Sequence, residues 1–527
     1  MCHSDTPQIC SLLQYVQEDD QEHVISMTQF SISHNCNAAE VALLTVPRCD
    51  IVAEQKLAGG YYSLLHGPFD SYSRKVDVSV LPENRFIVTE IFNYKLGIPY
   101  FGFLFSLPVR RYLRNRPITN KQPFWASPER FDVAITTTMA TLAIIVMFTG
   151  FLSNAPAETH TYAADEFAVD QMSQGVLGAF IRIGTLLAIA VSVIADRKGR
   201  KHVLTICIVL GLLSSVAAAL SPNLLTFSIC LIVMRTANAS LGVAIIVLAM
   251  EELPSGCRSW GLSVLGMSAA IGAGMVVWVQ PLAGIAIWGW RLIYLVPLLM
   301  TPLMIRAIRQ LPESHRFLTN RNHLSLRPYT RRIMLLGLTY FLIGIFLSPI
   351  DWFRNEYLRD QHNFSAIKIT IFVLATATPG GIGLYIAGRL ADTRGRRAVI
   401  TVASVLGLGC TVLFFNLSDL FLWPTALVAI LFASGLLPAM GVYKAEFFPT
   451  AVRARAATIT GAIGVIGGSC GILLTGWLRL KWGDFGSVIA LLWLGPLIAT
   501  LLIWMFFKES SRIELEELNP EDLSPSA

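Results

Sequence analysis

The distribution of hydrophobic positions divides the chain into two parts. Before residue 131, apolar residues occur in short runs separated by Gly, Pro and Asn, whereas after Phe131 they form long stretches. A stretch of about 20 apolar residues is long enough to cross a bilayer as a helix. The pattern therefore predicts twelve membrane spans, near 132–153, 172–194, 202–220, 225–249, 259–281, 289–309, 332–351, 366–388, 398–416, 421–444, 455–477 and 485–507.

The part before residue 131 is predicted to be a small soluble module of mixed α and β structure. Short apolar runs at 40–46, 61–65, 76–81 and 86–92 suit strands. The run 100–107 is too short to span a membrane, so it is either a core strand or a segment at the membrane interface. The cations that follow it either flank the first span, as is usual on the cytoplasmic side, or bind anionic lipid headgroups.

Charged residues repeat in the apolar part at a constant spacing. The pattern Asp196-Arg197-Lys198-Gly199-Arg200 returns 196 positions later as Asp392-Thr393-Arg394-Gly395-Arg396. Glu251 and Arg258 return 195 positions later as Glu446 and Arg453, and Glu313 returns 196 positions later as Glu509. Matched residues in constant order indicate a duplicated unit, a common construction in transporters.

The predicted fold is therefore an all-α membrane protein with twelve transmembrane helices in two six-helix pseudo-repeats, preceded by a small α+β appendage. Five regions are expected: an N-terminal cytoplasmic region at 1–130, a first bundle at 131–311, a middle loop at 312–331, a second bundle at 332–507 and a tail at 508–527.

Composition and loop charge agree with a multi-pass membrane protein. Apolar residues make up 54% of the chain and charged residues only 14%, against about 25% charged in soluble proteins. The loops on one side contain 19 Lys and Arg residues and those on the other side four. The cation-rich side is predicted to be cytoplasmic, with both termini on that side of the plasma membrane. The net charge of +6 is thus a signal of topology, not of nucleic-acid binding.

The residue types indicate neither an enzyme nor a metalloprotein. The nine cysteines lack a zinc-ligand spacing, and neither a P-loop nor a Gly-x-Ser-x-Gly motif occurs. We expect no cofactor and no metal, and as partners a small-molecule substrate and membrane lipid around a monomer. The first 50 residues also lack the pattern of a secretory signal.

The repeated loops resemble those of the major facilitator superfamily, on the branch shared by sugar porters and metabolite symporters. Gly388-x-x-x-Asp392-x-x-Gly395-Arg396-Arg397 is similar to the family's loop signature, with Thr393 in place of an Arg and, in the first copy, Ser192 in place of the Gly. The segment Pro312-Glu313-Ser314-His315-Arg316 resembles the sugar-porter motif after helix six, with His315 replacing a Pro.

This resemblance implies a gating role for the repeated polar residues. Asp196 and Asp392 would dock across the interface between the bundles, while Arg197, Arg200 and Arg396 meet the four matched glutamates. We expect exposed ion pairs here, worth about 0–1 kcal/mol each, which suits a contact that opens in every cycle. The predicted gating residues are Asp196, Arg197, Gly199, Arg200, Glu251, Arg258, Glu313, Arg316, Gly388, Asp392, Gly395, Arg396, Glu446, Arg453 and Glu509.

Two arginines inside predicted spans are not duplicated. Arg182 and Arg235 are matched at the repeat spacing by apolar or hydroxyl residues. An Arg in the membrane costs about 2.5–3.5 kcal/mol and indicates function, and guanidinium fits carboxylate and phosphate groups. We predict that Arg182, Arg235 and Asn238 contact an anionic substrate. Structural roles remain open: Arg235 in support of helix packing or coupling, and Arg182 as a donor to backbone carbonyls, Gln174 or Asn238.

The residue pattern is compatible with several directions and modes of coupling. The first predicted span contains no interior acid, so the residues do not support proton coupling, and uniport, anion exchange or coupling through substrate charge remain. The predicted function is a secondary-active or facilitative carrier of a small solute, such as an organic anion, by alternating access. The alternatives are an efflux carrier for drugs or metabolites and a non-transporting membrane sensor with a transporter shell.

Overall fold

A computed structural model describes residues 27–82, 85–115, 122–168, 184–191, 199–311, 313, 325–364, 366–417 and 419–519. The contacts divide the chain into two compact units. One unit contains residues up to Ala126 together with Arg130–Thr137, and the other contains Ser127–Glu129 and the chain from Thr138 onward.

The first unit contains a five-stranded antiparallel sheet with the strand order β1-β5-β4-β3-β2. Its strands are β1 (Thr28–Cys36), β2 (Ala53–Lys56), β3 (Tyr61–His66), β4 (Phe69–Leu81) and β5 (Arg85–Leu96), and its helices are α1 (Ala38–Leu44) and α2 (Gly102–Arg114). The predicted runs at 61–65, 76–81 and 86–92 lie in β3, β4 and β5.

One strand prediction in this unit is wrong, and one of the two alternatives for another run is excluded. Residues 40–44 of the run 40–46 lie in helix α1, which begins with a capping box: the Asn37 side chain accepts from the Glu40 N–H at 2.9 Å and the Glu40 carboxylate accepts from the Asn37 N–H at 2.9 Å. These two bonds satisfy orphan donors at the helix start and decide for helix over strand. The run 100–107 leads into helix α2, so the core-strand alternative is excluded.

A fully buried arginine, Arg74, binds two buried glutamates inside this unit, and a tyrosine binds one of them. The Arg74 guanidinium lies 2.6 Å from Glu54 and 2.6 Å from Glu90. The Tyr72 hydroxyl donates to Glu54 at 2.6 Å, and burial, together with the Glu54 charge, raises the pKa of Tyr72 well above its usual value. The cluster is held together because each buried charge has an opposite charge or a donor.

We expect Arg74→Met to destabilise the first unit strongly. The substitution leaves Glu54 and Glu90 buried without their shared cation, and breaking such a pair costs about 3–5 kcal/mol. Thermal unfolding of the purified protein, with limited proteolysis to locate the change, measures the effect. Lys75→Met is the matched control, because Lys75 is about one-third exposed and pairs with the exposed Asp77. Equal melting temperatures for the two variants would contradict this account.

The described part of the second unit is almost entirely helical. Its amino-terminal helices, called the N-terminal set, begin in α3, whose first residues belong to the first unit. This set contains α3 (Val133–Glu166), α4 (Arg200–Ala219), α5 (Leu224–Glu252), α6 (Arg258–Val279), α7 (Trp290–Leu295) and α8 (Thr301–Gln310). Residues 184–191 of the same set are also helical.

The carboxy-terminal helices, called the C-terminal set, follow after residue 325. They are α9 (Thr330–Asp360), α10 (Ala366–Ala377), α11 (Gly380–Arg394), α12 (Arg396–Val402), α13 (Leu408–Phe414), α14 (Asp419–Ala433), α15 (Leu436–Glu446), α16 (Arg453–Trp482), α17 (Phe485–Leu492) and α18 (Leu494–Phe506). A short helix, α19 (Leu515–Leu518), lies in the tail.

Eleven helical segments within the described residues are long and apolar enough to cross a membrane. They coincide with eleven of the predicted spans, and most of the remaining one, 172–194, lies outside the described residues. The first predicted span ends at 153, whereas the apolar segment of α3 ends at Thr159 and the helix itself continues to Glu166. Glu166 there accepts from the Trp290 indole at 2.6 Å and from Arg291 at 2.8 Å, which ties the end of α3 to α7.

Candidate gate and substrate site

Glu251 joins the two helix sets at the end that carries most of the Lys and Arg residues, called the cation-rich end. One of its carboxylate oxygens lies 3.0 Å from Arg200 of the N-terminal set and 2.8 Å from Arg453 of the C-terminal set. Arg200 also donates to the Thr450 carbonyl of the C-terminal set at 2.9 Å. Glu251 is thus held by its own set and by the opposite one.

Glu446, the repeat partner of Glu251, makes the reciprocal contacts. It lies 2.8 Å from Arg258 of the N-terminal set and accepts a short hydrogen bond from Arg396 of its own set. Arg258 also donates to the Ile513 carbonyl at 3.1 Å, so the tail closes over this side. We call Arg200, Glu251, Arg258, Arg396, Glu446 and Arg453 the arginine–glutamate cluster.

The ion pairs of this cluster are buried, so the expectation of exposed pairs is wrong. Its four arginine side chains are 0% exposed, and Glu251 and Glu446 are 4% and 2% exposed. Burial follows from the close packing of the two sets and of the tail around them. A buried pair that loses one partner leaves an uncompensated charge, which costs about 3–5 kcal/mol, several times more than an exposed pair contributes.

Asp392 caps a helix of the opposite set. Its carboxylate accepts from the backbone N–H groups of Ser259 at 3.0 Å and Trp260 at 2.7 Å, at the start of α6. A carboxylate is favoured there because the helix dipole and the unpaired N–H groups attract negative charge. The guanidinium of Arg396 lies 3.7 Å away on the same carboxylate.

Gly388 lets α11 and α6 approach closely, one turn before Asp392. A methyl group on Gly388 would lie 1.8 Å from the Ser263 hydroxyl oxygen and 2.7 Å from the Ser259 carbonyl oxygen. Residues four apart share one face of a helix. Gly388 and Asp392 therefore make adjacent contacts with the same segment of the N-terminal set.

Gly199 and Gly395 begin α4 and α12 with a backbone that favours glycine, at φ of 99° and 106°. The helix starts that follow are capped by carboxylates: the Arg200 N–H donates to Glu313 at 2.9 Å, and the Arg396 N–H donates to Glu509 at 3.0 Å. The sequence analysis expected both glutamates to meet arginine side chains. The structure places them on the backbone N–H groups of those arginines.

Several predicted site residues lie outside the described residues. These are Arg182 among the candidate substrate contacts, and Asp196, Arg197 and Arg316 among the candidate gating residues.

Arg235 and Asn238 lie on α5 and contact two other parts of the N-terminal set. Arg235 is half-buried and its Nε donates to the Thr185 hydroxyl at 3.2 Å. The amide nitrogen of Asn238 donates to Ser153 of α3, while its buried amide oxygen accepts no hydrogen bond within the described part of the chain. Arg235 and Asn238 thus lie among hydroxyl groups that the sequence analysis did not single out.

Sequence reasoning also missed Lys444 as a candidate. The predicted span ended at this residue, and Lys444 was therefore counted among the loop cations. In the structure its ammonium group lies 5.5 Å from the centre of the Tyr340 ring, between α9, α15 and α16. The absence of a matching cation at position 249, which is Ala, was the signal that could have found it.

Comparisons with known proteins agree on one family. The model of the Major Facilitator Superfamily matches residues 139–415 and 333–525. The benzoate transport protein of Acinetobacter baylyi is 23% identical over 410 residues, which cover 69% of this chain and 86% of that protein. The citrate-proton symporter of Klebsiella pneumoniae is 23% identical over 65% of this chain and 86% of its own length.

The fold has a counterpart among solved structures. A proton:xylose symporter, XylE, superposes with a TM-score of 0.65 at 15% identity, covering 74% of this chain and 99% of the symporter. At this identity the likeness shows the fold and not the substrate.

Proposed function

Because the chain belongs to the Major Facilitator Superfamily, we propose that it carries a small organic anion across the plasma membrane by alternating access. Two bundles of six helices, at 131–311 and 332–507, rock against each other around a central site. The chain acts as a monomer, surrounded by lipid, with the cation-rich end and both termini in the cytoplasm. The positive-inside distribution of loop charge supports this orientation.

The observation that carries the proposal is the reciprocal arginine–glutamate cluster. Glu251 and Glu446 each bind one arginine of their own set and one of the opposite set. Such a contact stabilises the state in which the cytoplasmic end is closed. Its rupture, together with release of Asp392 from the start of α6, opens this end toward the cytoplasm. A sensor that does not move would have no need for two matched copies of the contact.

The substrate class rests on charge. Two relatives match this chain over more than four fifths of their own length: a benzoate transport protein and a citrate-proton symporter. Benzoate and citrate are both carboxylates. Arg235 lies inside the membrane span Leu224–Glu252, where an arginine is costly unless it serves a function. A guanidinium group binds a carboxylate through charge-assisted hydrogen bonds. Arg235, Asn238 and, from the sequence, Arg182 would contact the anion.

We expect Arg235→Gln to lower the uptake of carboxylates at least 10-fold. The loss of one charge-assisted hydrogen bond, worth about 1.5–3 kcal/mol, gives a factor of roughly 10–100 in affinity. Uptake of radiolabelled benzoate, citrate and nicotinate into proteoliposomes measures the effect. Arg479→Gln is the matched control. Arg479 lies in the last turn of α16, away from the cation-rich end, with its guanidinium carbon 4.1 Å from the centre of the Phe485 ring. The failure of the unmodified protein to take up any carboxylate would contradict the proposed function and favour a sensor.

A further inference from the structure

Lys444 is a cation inside the helix packing that the repeat does not explain. It lies on α15, two residues before Glu446, within the span Leu420–Glu446. The residue at its repeat position, Ala249, is fully buried and apolar. The charge of Lys444 is therefore specific to the C-terminal set, whereas the arginine–glutamate cluster next to it is present in both sets.

The surroundings of the Lys444 ammonium group place it at membrane depth. A methyl group on Gly461 would lie 2.6 Å from Nζ, so α16 needs a glycine where the lysine passes. Gly461 is eight residues into α16 and Tyr340 is ten residues into α9, which corresponds to about 12 and 15 Å from the helix starts at the cation-rich end. The ammonium group thus points away from the arginine–glutamate cluster and toward the middle of the helices.

Among the described residues, Lys444 has an aromatic neighbour but no counter-ion. Its ammonium lies 5.5 Å from the Tyr340 ring centre, and the Tyr340 hydroxyl donates to the Met440 carbonyl at 2.8 Å, one turn earlier on α15. Within the described residues, Lys444 makes neither an ion pair nor a hydrogen bond. Lys444 is half-buried. An aromatic face contributes about 0.5–2 kcal/mol to a cation, which does not replace the water that the packed part of the side chain has lost.

We propose that Lys444 is the counter-ion of the transported anion in the C-terminal set and binds a carboxylate group, while its ammonium group stays beside the Tyr340 ring. The proposal rests on the proposed function and adds a residue and a charge requirement to it. Arg235 on α5 and Lys444 on α15 belong to different helix sets. An anion that contacts Lys444 in one state and the N-terminal set in the other would couple the movement of the two sets, two residues from Glu446.

The test compares a carboxylate with its neutral amide. Uptake of radiolabelled benzoate into proteoliposomes at pH 7.5 is measured for the unmodified protein, Lys444→Gln and Lys444→Arg, with unlabelled benzamide as a competitor. We expect Lys444→Gln to raise the KM for benzoate 10–100-fold, with little change in inhibition by benzamide, and Lys444→Arg to stay within about fivefold of the unmodified protein.

Lys481→Gln is the control for the loss of a lysine beside an aromatic ring. Its ammonium lies 3.9 Å from the Trp477 ring centre at the far end of α16, and we expect its KM for benzoate to be unchanged. A folded Lys444→Gln variant, judged by gel filtration, that keeps the benzoate KM would overturn the proposal while leaving the proposed function intact. Absence of carboxylate-dependent uptake by the unmodified protein would overturn both.

Discussion

Replacing Glu251 with glutamine should reduce transport about 100-fold or more. The neutral amide leaves Arg200 and Arg453 buried, with their guanidinium groups 3.0 and 2.8 Å from an oxygen that has lost its charge. Breaking a buried pair costs about 3–5 kcal/mol, or roughly a factor of 10² to 4 × 10³ in the population of the closed end. The variant should therefore remain open toward the cytoplasm and lose the outward-facing half of its cycle.

Uptake into proteoliposomes measures this loss, and Glu252→Gln is its matched control. Glu252 is the next residue on the same helix and is only partly buried, so its substitution should leave uptake within about twofold. Glu446→Gln should reproduce the loss, because Glu446 binds Arg258 and Arg396 in the reciprocal way. Normal uptake by Glu251→Gln would show that the cluster serves assembly only.

The second large effect is expected for Gly388→Val. The new side chain would meet the Ser263 hydroxyl at 1.8 Å and the Ser259 carbonyl at 2.7 Å, so α11 and α6 can no longer touch. Separation of these helices also withdraws Asp392 from the Ser259 and Trp260 N–H groups. Overpacking costs about 1–3 kcal/mol or more, and here it is confined to the state with a closed cation-rich end. We expect transport to be lost while the protein still folds.

Gly381→Val separates this clash from a general effect of valine. Gly381 lies on the same helix, and a methyl group there would meet no atom of the described residues within 4 Å. Both variants are compared in uptake and in their gel-filtration profiles. Equal uptake by the two variants would mean that the close approach of α11 and α6 is dispensable.

Charged residues that recur at a constant spacing were easier to single out from the sequence than residues that do not recur. Glu251, Arg258, Glu446 and Arg453 were found because a duplicated pattern exposes residues that both copies keep. Their burial was not predicted. The hydrophobic periodicity of one helix does not show that both helix sets and the tail pack around the same charged side chains. Glu313 and Glu509 cap helix starts by accepting from backbone N–H groups. Every residue except proline has such a group, so the sequence does not indicate which ones a distant carboxylate will bind.

The other differences between prediction and structure arise where specific hydrogen bonds or neighbours decide the structure and not the pattern of apolar residues. The run 40–46 has strand-like composition, but the Asn37–Glu40 capping box starts a helix there. Helix α3 continues past the apolar stretch that the sequence shows, and at its end Glu166 binds Trp290 and Arg291 of α7. Lys444 was assigned to a loop because a charge at the end of an apolar run is usually a flank. Only the position of Gly461 and Tyr340 around its ammonium group shows that it points inward.

The distance between the two sets at the cation-rich end tests most directly whether the arginine–glutamate cluster opens during transport. Ile206 on α4 and Val402 on α12 occupy matched positions and are 39% and 42% exposed, so both accept spin labels in a background without reactive cysteines. Pulsed electron paramagnetic resonance in nanodiscs should give a short distance that lengthens when a transported carboxylate is added, and a long distance in Glu251→Gln without substrate. A single distance that neither the carboxylate nor Glu251→Gln alters would contradict a cluster that opens during transport.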